Sequence, residues 1–293
     1  MYKKQTGEIL IVEIMNTKEE KNKNYTFQAT EIEHEKKDPD YISPQQTADT
    51  LFNFMKEREF LERTIKNKKI SARYCKENVE YLNLGISEIA FPMKCFCDIN
   101  MHKLGEHLGW YGYYGIAFSK KWGMKQGIQP LQYINPASDL CKDFGLAFRN
   151  ALKSNDEEHE ALRDYLALQL MYLKPYSGEF KNRNTEKPEY KCFTDECEWR
   201  YVADVSVLGM DEIITTPERL SDGVLTLMSN SLEGKDEASI CFEYEDVKYI
   251  ILEDIPAYHT FLSFLGELDG ISEAHKQLLT SRILVWSEAK GDF

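Results

Sequence analysis

No stretch of this sequence is apolar over the ~20 residues that a membrane-crossing helix needs. It holds no Gly-rich phosphate loop, no H-E-x-x-H pair and no G-x-S-x-G elbow, which removes the simplest nucleotide hydrolase, zinc peptidase and serine esterase readings. No internal repeat, low-complexity tract or Gly/Pro/Ser-rich linker divides the chain. Cations are also short. The 36 Lys and Arg face 49 Asp and Glu, a net charge of −13 over 293 residues. Such a surface repels phosphate backbones, so broad nucleic-acid binding is not expected, although a local basic groove remains compatible with it. The N-terminus "MYKKQTGEILIVEIMNTKEEKNKNY" has only a short apolar patch before its charges, unlike a secretory leader, and a cytoplasmic protein is expected. The seven cysteines form no Cys-x₂-Cys knuckle. Cys95 and Cys97 are the one close pair, and in a strand they share a face. They read either as small buried hydrophobes or as metal ligands with His102 or His107. Those two histidines are five apart, off the i, i+4 spacing of a helix face, and no metal site is expected.

What is present is an apolar fraction of 42% and a charged fraction of 29%, the balance of a folded globular chain. Residues 1–42 read as an N-terminal extension, with a strand in "EILIVEIM" between charge-rich turns. From residue 43 a single domain is expected to run to 293. Ser43, Pro44 and Gln46 resemble a helix start, and Leu51, Phe54, Met55, Leu61 and Ile65 recur at roughly helical spacing, so one long helix is expected there. "KISARYC", "IAFPMKCFCDI", "YYGIAFSK", "QPLQYIN", "CEWRYVADV" and "RILVWSEA" read as strands, with Pro92 marking the second of these as an edge or a strand start. "ICFEYEDVKYIILE" reads as a strand pair turning near Glu245 and Asp246. "MHKLGEHLGWYG", "KWGMKQGI", "PAYHTFLSFLGEL" and "SEAHKQLLTS" read as short helices. Ser154 and Glu157 frame a capping box for a helix over "EHEALRDYLALQLMYLK". "YSGEFKNRNTEKPEYKCFTDE" reads as a long loop. The fold class is α+β, with a central, mainly antiparallel sheet.

Three groups of residues could carry chemistry. Gly109, Gly112 and Gly115 punctuate "HLGWYGYYGIAFSKKW" and permit positive φ or close backbone approach. His107, Tyr111 and Tyr114 add hydrogen-bonding rings, and Ser119 and Lys120 close the run. The spacing is not that of a dinucleotide fingerprint, which needs a preceding strand. In "DECEWRYV", Glu196-x-Glu198 would put two carboxylates on one strand face, with Arg200 beside them and Trp199 opposite. One carboxylate beside a guanidinium stays ionised, whereas two close carboxylates push one another's pKa up. Arg73, in "SARYC", could clamp a phosphate. The plainer alternatives are a packed aromatic turn, an exposed Glu–Arg pair and a surface ion pair.

"TLFNFMKE", "FPMKCFCDI", the H-x-x-x-YG-x-YGI-x-x-SK-x-W run, "EWRYV" and "VKYIILE", in that order, resemble the AbiGi family across roughly residues 45–290. That family is associated with abortive phage resistance and described as the antitoxin half of a two-gene system. The resemblance therefore implies a cognate toxin, or a phage or host protein, as partner. Family members usually carry a His where this chain has Asn53. The order of elements resembles ADP-ribosyltransferases more distantly. That likeness implies NAD as cofactor and Glu198 as catalytic carboxylate, assisted by Glu196. Arg73 (or Asn53), His107, Tyr111, Tyr114 and Ser119 would then hold the cofactor. An enzyme would bring these residues to one cleft. A binding protein would carry an exposed apolar patch instead.

Overall fold

The segment Thr50–Met55 reads Thr-Leu-Phe-Asn-Phe-Met, and all six of its residues are buried. Such a run cannot show an alternating pattern, because both of its faces are covered. It is strand β1 rather than the first half of the expected helix. The computed structural model describes residues 41–153, 159–182 and 185–292. The strand expected in residues 9–14 and the cap of Ser154 and Glu157 lie outside them. Helix α1 (Arg58–Asn67) begins only after Glu57 and buries Leu61 and Ile65, one turn apart.

The chain continues through β2 (Lys69–Ser71), β3 (Arg73–Asn78), β4 (Glu88–Cys97), α2 (Leu104–Tyr111), β5 (Tyr114–Ser119), α3 (Lys120–Lys125), β6 (Gln129–Pro130) and β7 (Gln132–Ile134). Next come α4 (Asp139–Lys153), α5 (Glu160–Met171), β8 (Leu173–Pro175), β9 (Ser177–Lys181), β10 (Pro188–Cys192) and β11 (Glu198–Val202). The remainder is α6 (Asp222–Leu232), β12 (Ser239–Cys241), β13 (Val247–Leu252), α7 (Ile255–Glu267), α8 (Glu273–Thr280), β14 (Ile283–Val285) and α9 (Trp286–Ala289). Together these make a mixed fold of helices and strands around a mainly antiparallel sheet. Its strand order is β14-β13-β5-β1-β4-β11-β6, with β3 also paired to β4. Within it the β13–β14 pairing is parallel.

Alternation along β1 separates two cores. Leu51 and Met55 pack with Leu61 and Ile65 of α1, Phe118 of β5 and Phe261 of α7. Phe52 and Phe54 pack with Leu104 and Leu108 of α2. A third core joins β4 to α4 and α5 through Phe91, Met93, Phe148 and Leu170.

Three expectations are corrected. The stretch expected as a loop forms the hairpin β9–β10, with Ser177 opposite Cys192. The strands expected to pair about Glu245 do not meet: β12 pairs with β2, while β13 adds to β5. Pro92 is neither on an edge nor at a strand start, since β4 begins at Glu88 and has neighbours on both sides. Beyond the Met93–Val202 pair the Ala203 N–H still donates to the Pro92 carbonyl at 3.0 Å, and the ladder with β11 ends at the return bond that Pro92 has no N–H to donate. Among the described residues no helix is long and apolar enough to cross a membrane.

Candidate functional site

Glu196 precedes the strand rather than lying on it. It ends the 3₁₀ turn Phe193–Glu196, and Cys197 follows with φ of 42°, a left-handed step that redirects the chain into β11. Glu198 and Arg200 do share a face of β11, and Arg200 reaches Glu198 Oε1 through Nε at 3.0 Å and Nη2 at 2.8 Å. The two carboxylates meet all the same, because Lys174 of β8 stands between them. Its Nζ donates to Glu196 Oε2 at 2.6 Å and to Glu198 Oε2 at 2.7 Å. Lys191 of β10 pairs with Glu196 Oε1 at 2.9 Å. The Tyr111 hydroxyl of α2 donates to the same oxygen. Arg200 also donates to Glu77 of β3 at 2.8 Å and to the Met171 carbonyl at 2.6 Å. Three carboxylates thus face three cations in one buried cluster, and every oxygen of Glu196 and Glu198 is engaged.

The electrostatics follow from that count. Burial pushes the Glu198 carboxyl up, but Arg200 and Lys174 outweigh it and hold it far below the ordinary carboxylate range. Burial likewise raises Glu196, and Lys174 and Lys191 more than offset it. The expectation that two close carboxylates push one pKa up therefore fails, because the cations between them reverse the sign. Burial lowers Lys174 while Glu198 and Glu196 raise it, and the carboxylates prevail. Burial pushes the Tyr111 hydroxyl up, with Glu196 adding to the effect, so it remains a proton donor. His107, one turn before Tyr111, is pushed down to about 3 by burial and then by Lys191, and is a neutral imidazole at physiological pH. Its ring centroid lies 4.6 Å from that of Tyr111 and 5.3 Å from that of Phe54.

A cavity of about 170 Å³ opens beside this cluster. Of the residues singled out in the sequence, Arg73, His107, Tyr111, Glu196, Glu198 and Asn53 line it. Tyr114 and Ser119 do not. The Tyr114 hydroxyl donates to Glu253 at 3.2 Å. Ser119 caps α3 by accepting from the Trp122 N–H at 3.1 Å. The glycine run also has a packing explanation. Gly112 has φ of +115°, and a Cβ there would strike the Met55 carbonyl; a Cβ at Gly115 would strike the Phe54 ring. Cys95 and Cys97 line the cavity as thiols that burial pushes up, and no group of three His, Cys, Asp or Glu among the described residues could hold a metal.

The sequence reading missed Lys174, Lys191 and Glu77. Lys174 closes the run "EHEALRDYLALQLMYLK", read as a helix, where a lysine looks like an exposed last turn. Lys191 fell in the stretch read as a loop. The usable signal was charge balance, since a buried E-x-E-x-R leaves a carboxylate in excess and requires a further cation.

A family described as abortive phage resistance protein AbiGi, antitoxin, matches residues 58–253. The abortive phage resistance protein AbiGi of Lactococcus lactis subsp. cremoris is 32% identical over 247 residues, covering 75% of this chain and 98% of that protein. No solved structure matches the chain.

Proposed function

The chain belongs to the AbiGi family of abortive phage resistance proteins, and from that premise we propose that it is the antitoxin of a two-component system and neutralises a cognate toxin by binding it. The observation that carries this reading is one face of α5. Leu162, Tyr165 and Leu168 recur every third residue and are 44%, 59% and 49% exposed. The other side of the same helix already sends Leu166, Leu170 and Met171 into the core. A helix apolar on both sides has one side to spare for a partner. The saturated carboxylates agree with binding rather than chemistry. The test is co-purification with the tagged toxin, comparing the natural chain with Tyr165→Glu and Leu168→Glu. Loss of capture and of growth rescue by chains that melt normally is the expected result. Undiminished capture by both would overturn the reading.

A second reading draws on the convergence of Arg73, His107, Tyr111, Glu196 and Glu198, which an ADP-ribosyltransferase-like enzyme would need. It requires a carboxylate free to orient ribose hydroxyls, and Glu198 is held on both oxygens. Absence of nicotinamide release from NAD by the natural chain would remove it.

A further inference from the structure

The sheet is split beside the cavity. β1 meets β4 at the Phe52–Cys97 pair, and β3 pairs with β4 only over Glu88 to Met93. Between these points the Asn53 side chain reaches across, donating from Nδ2 to the Cys95 carbonyl at 2.8 Å. Asn53 is 5% exposed, and its Oδ1 has no hydrogen-bond partner. That leaves, in the cavity wall, an acceptor stripped of water and without a donor.

A second hollow of about 260 Å³ adjoins the first and shares Phe54, Arg73 and Lys94 with it. Its lining carries Lys56, Arg63, Lys69, Arg73 and Lys94 against the lone carboxylate Glu233. In a chain of net charge −13, five cations around one hollow run against the composition. Arg63 pairs with Glu233 at 2.5 Å, Lys69 with Asp236 at 2.6 Å and Lys56 with Glu186 at 3.7 Å. Those carboxylates are partly or largely exposed, so an entering anion can displace them at little cost. Arg73 is exposed and makes no ion pair among the described residues.

The first hollow differs in character. Phe52, Phe54, His107, Tyr111 and Phe180 give it aromatic walls. Its volume of about 170 Å³ suits one six-membered ring, since an apolar cavity of about 150 Å³ takes up benzene. A ring bearing an N–H or NH₂ would supply the donor that Asn53 Oδ1 lacks.

We infer that the paired hollows bind a nucleotide with a single-ring, amide- or amine-bearing base, the ring lying beside Asn53 and the phosphates among Arg73, Lys94 and the neighbouring cations. The inference shares its cavity, Arg73 and one candidate ligand, NAD, with the second reading above, but it needs neither toxin docking nor transfer chemistry. Two kinds of molecule share this chemistry, the pyrimidine nucleoside triphosphates and the nicotinamide dinucleotides. The net negative charge favours a free nucleotide over a strand, which the rest of the surface would repel.

Calorimetric titration of the full chain with CTP, UTP, NAD, ATP and inorganic tripolyphosphate tests it. At least one of CTP, UTP and NAD is expected to bind at least about tenfold more tightly than ATP and tripolyphosphate, with the preferred one identifying the base. Arg73→Glu, on an exposed strand position, is expected to weaken that binding about tenfold or more with an unchanged melting temperature. Asn53→Leu is expected to weaken nucleotide binding and leave any residual tripolyphosphate binding as it was. No heat from any of the five at millimolar concentration would overturn the inference. So would tripolyphosphate or ATP matching the best single-ring nucleotide, or undiminished nucleotide affinity in Arg73→Glu.

Discussion

Glu198 accepts from Arg200 on one oxygen and from Lys174 on the other, and is 5% exposed. Glu198→Gln keeps the shape and removes the charge, leaving the cations Lys174, Lys191 and Arg200 with only Glu196 and Glu77 to balance them. A loss of about 3–5 kcal/mol in urea unfolding is expected, the cost of breaking a buried pair from one side. His107 makes a separate prediction. In the fold it stays neutral down to about pH 3, whereas the unfolded chain takes up a proton below the ordinary value of 6.5. The unfolded state therefore binds more protons across that window. Stability is complete above pH 6.5 and falls as the pH is lowered, by up to about 1.4 kcal/mol per unit and less in proportion to the partial exposure of the ring. Glu196 and Glu198 have lowered folded values, so their contribution holds above the ordinary 4.5 and is lost only as the pH falls beyond it. Urea midpoints between pH 6.5 and 4.5 thus separate the histidine from these two carboxylates, and His107→Gln is expected to flatten the slope there. At this scale the sequence was informative about anions and rings. Glu196 with Glu198, and separately His107 with Tyr111, stood out because polar chemistry in an apolar setting is visible in sequence. Lys174 and Lys191 did not, because a lysine looks the same in sequence whether its tip reaches water or a carboxylate.

Among the elements, the misread one is β1. Its run of buried residues matches a helix face by spacing and a two-sided strand by composition, and only pairing partners decide between them. The hairpin β9–β10 was missed for the opposite reason. Its residues are polar and mostly exposed or half-buried, so neither strand carries an apolar alternation. Helices α4 and α6 went unread although each starts at a serine: Ser138 caps α4 by accepting from the Cys141 N–H at 3.2 Å, and Ser221 precedes α6. The turn between α2 and β5 was legible, and its glycines have a physical role that can be tested. Gly112 combines a φ of +115° with backbone contact from Met55. Gly112→Ala must distort one or the other and is expected to cost about 1–3 kcal/mol, read as a lower urea midpoint. Gly109 has open space around it, so Gly109→Ala is the control and should not lose stability.

For the whole molecule, the mainly antiparallel sheet and the family were readable, because each depends on many residues at once. The basic hollow was not, since its five cations come from β1's flank, α1, β2, β3 and β4, which only the fold brings together. The same contrast between overall charge and local surface separates two ways of neutralising a toxin. An acidic chain could hold a basic partner by charge, or the α5 face could hold it by apolar contact. Charge attraction between exposed surfaces is screened within about 8–10 Å at moderate salt, and apolar burial is not. If Leu162, Tyr165 and Leu168 form the contact, the toxin's dissociation rate should change by less than about threefold between 50 and 500 mM salt, with any salt effect confined to the association rate. A dissociation rate that climbs about tenfold or more over that range would move the interface from the α5 face to the acidic surface. Tyr165→Glu would then leave capture intact at low salt, so the two measurements together place the toxin on one surface or the other.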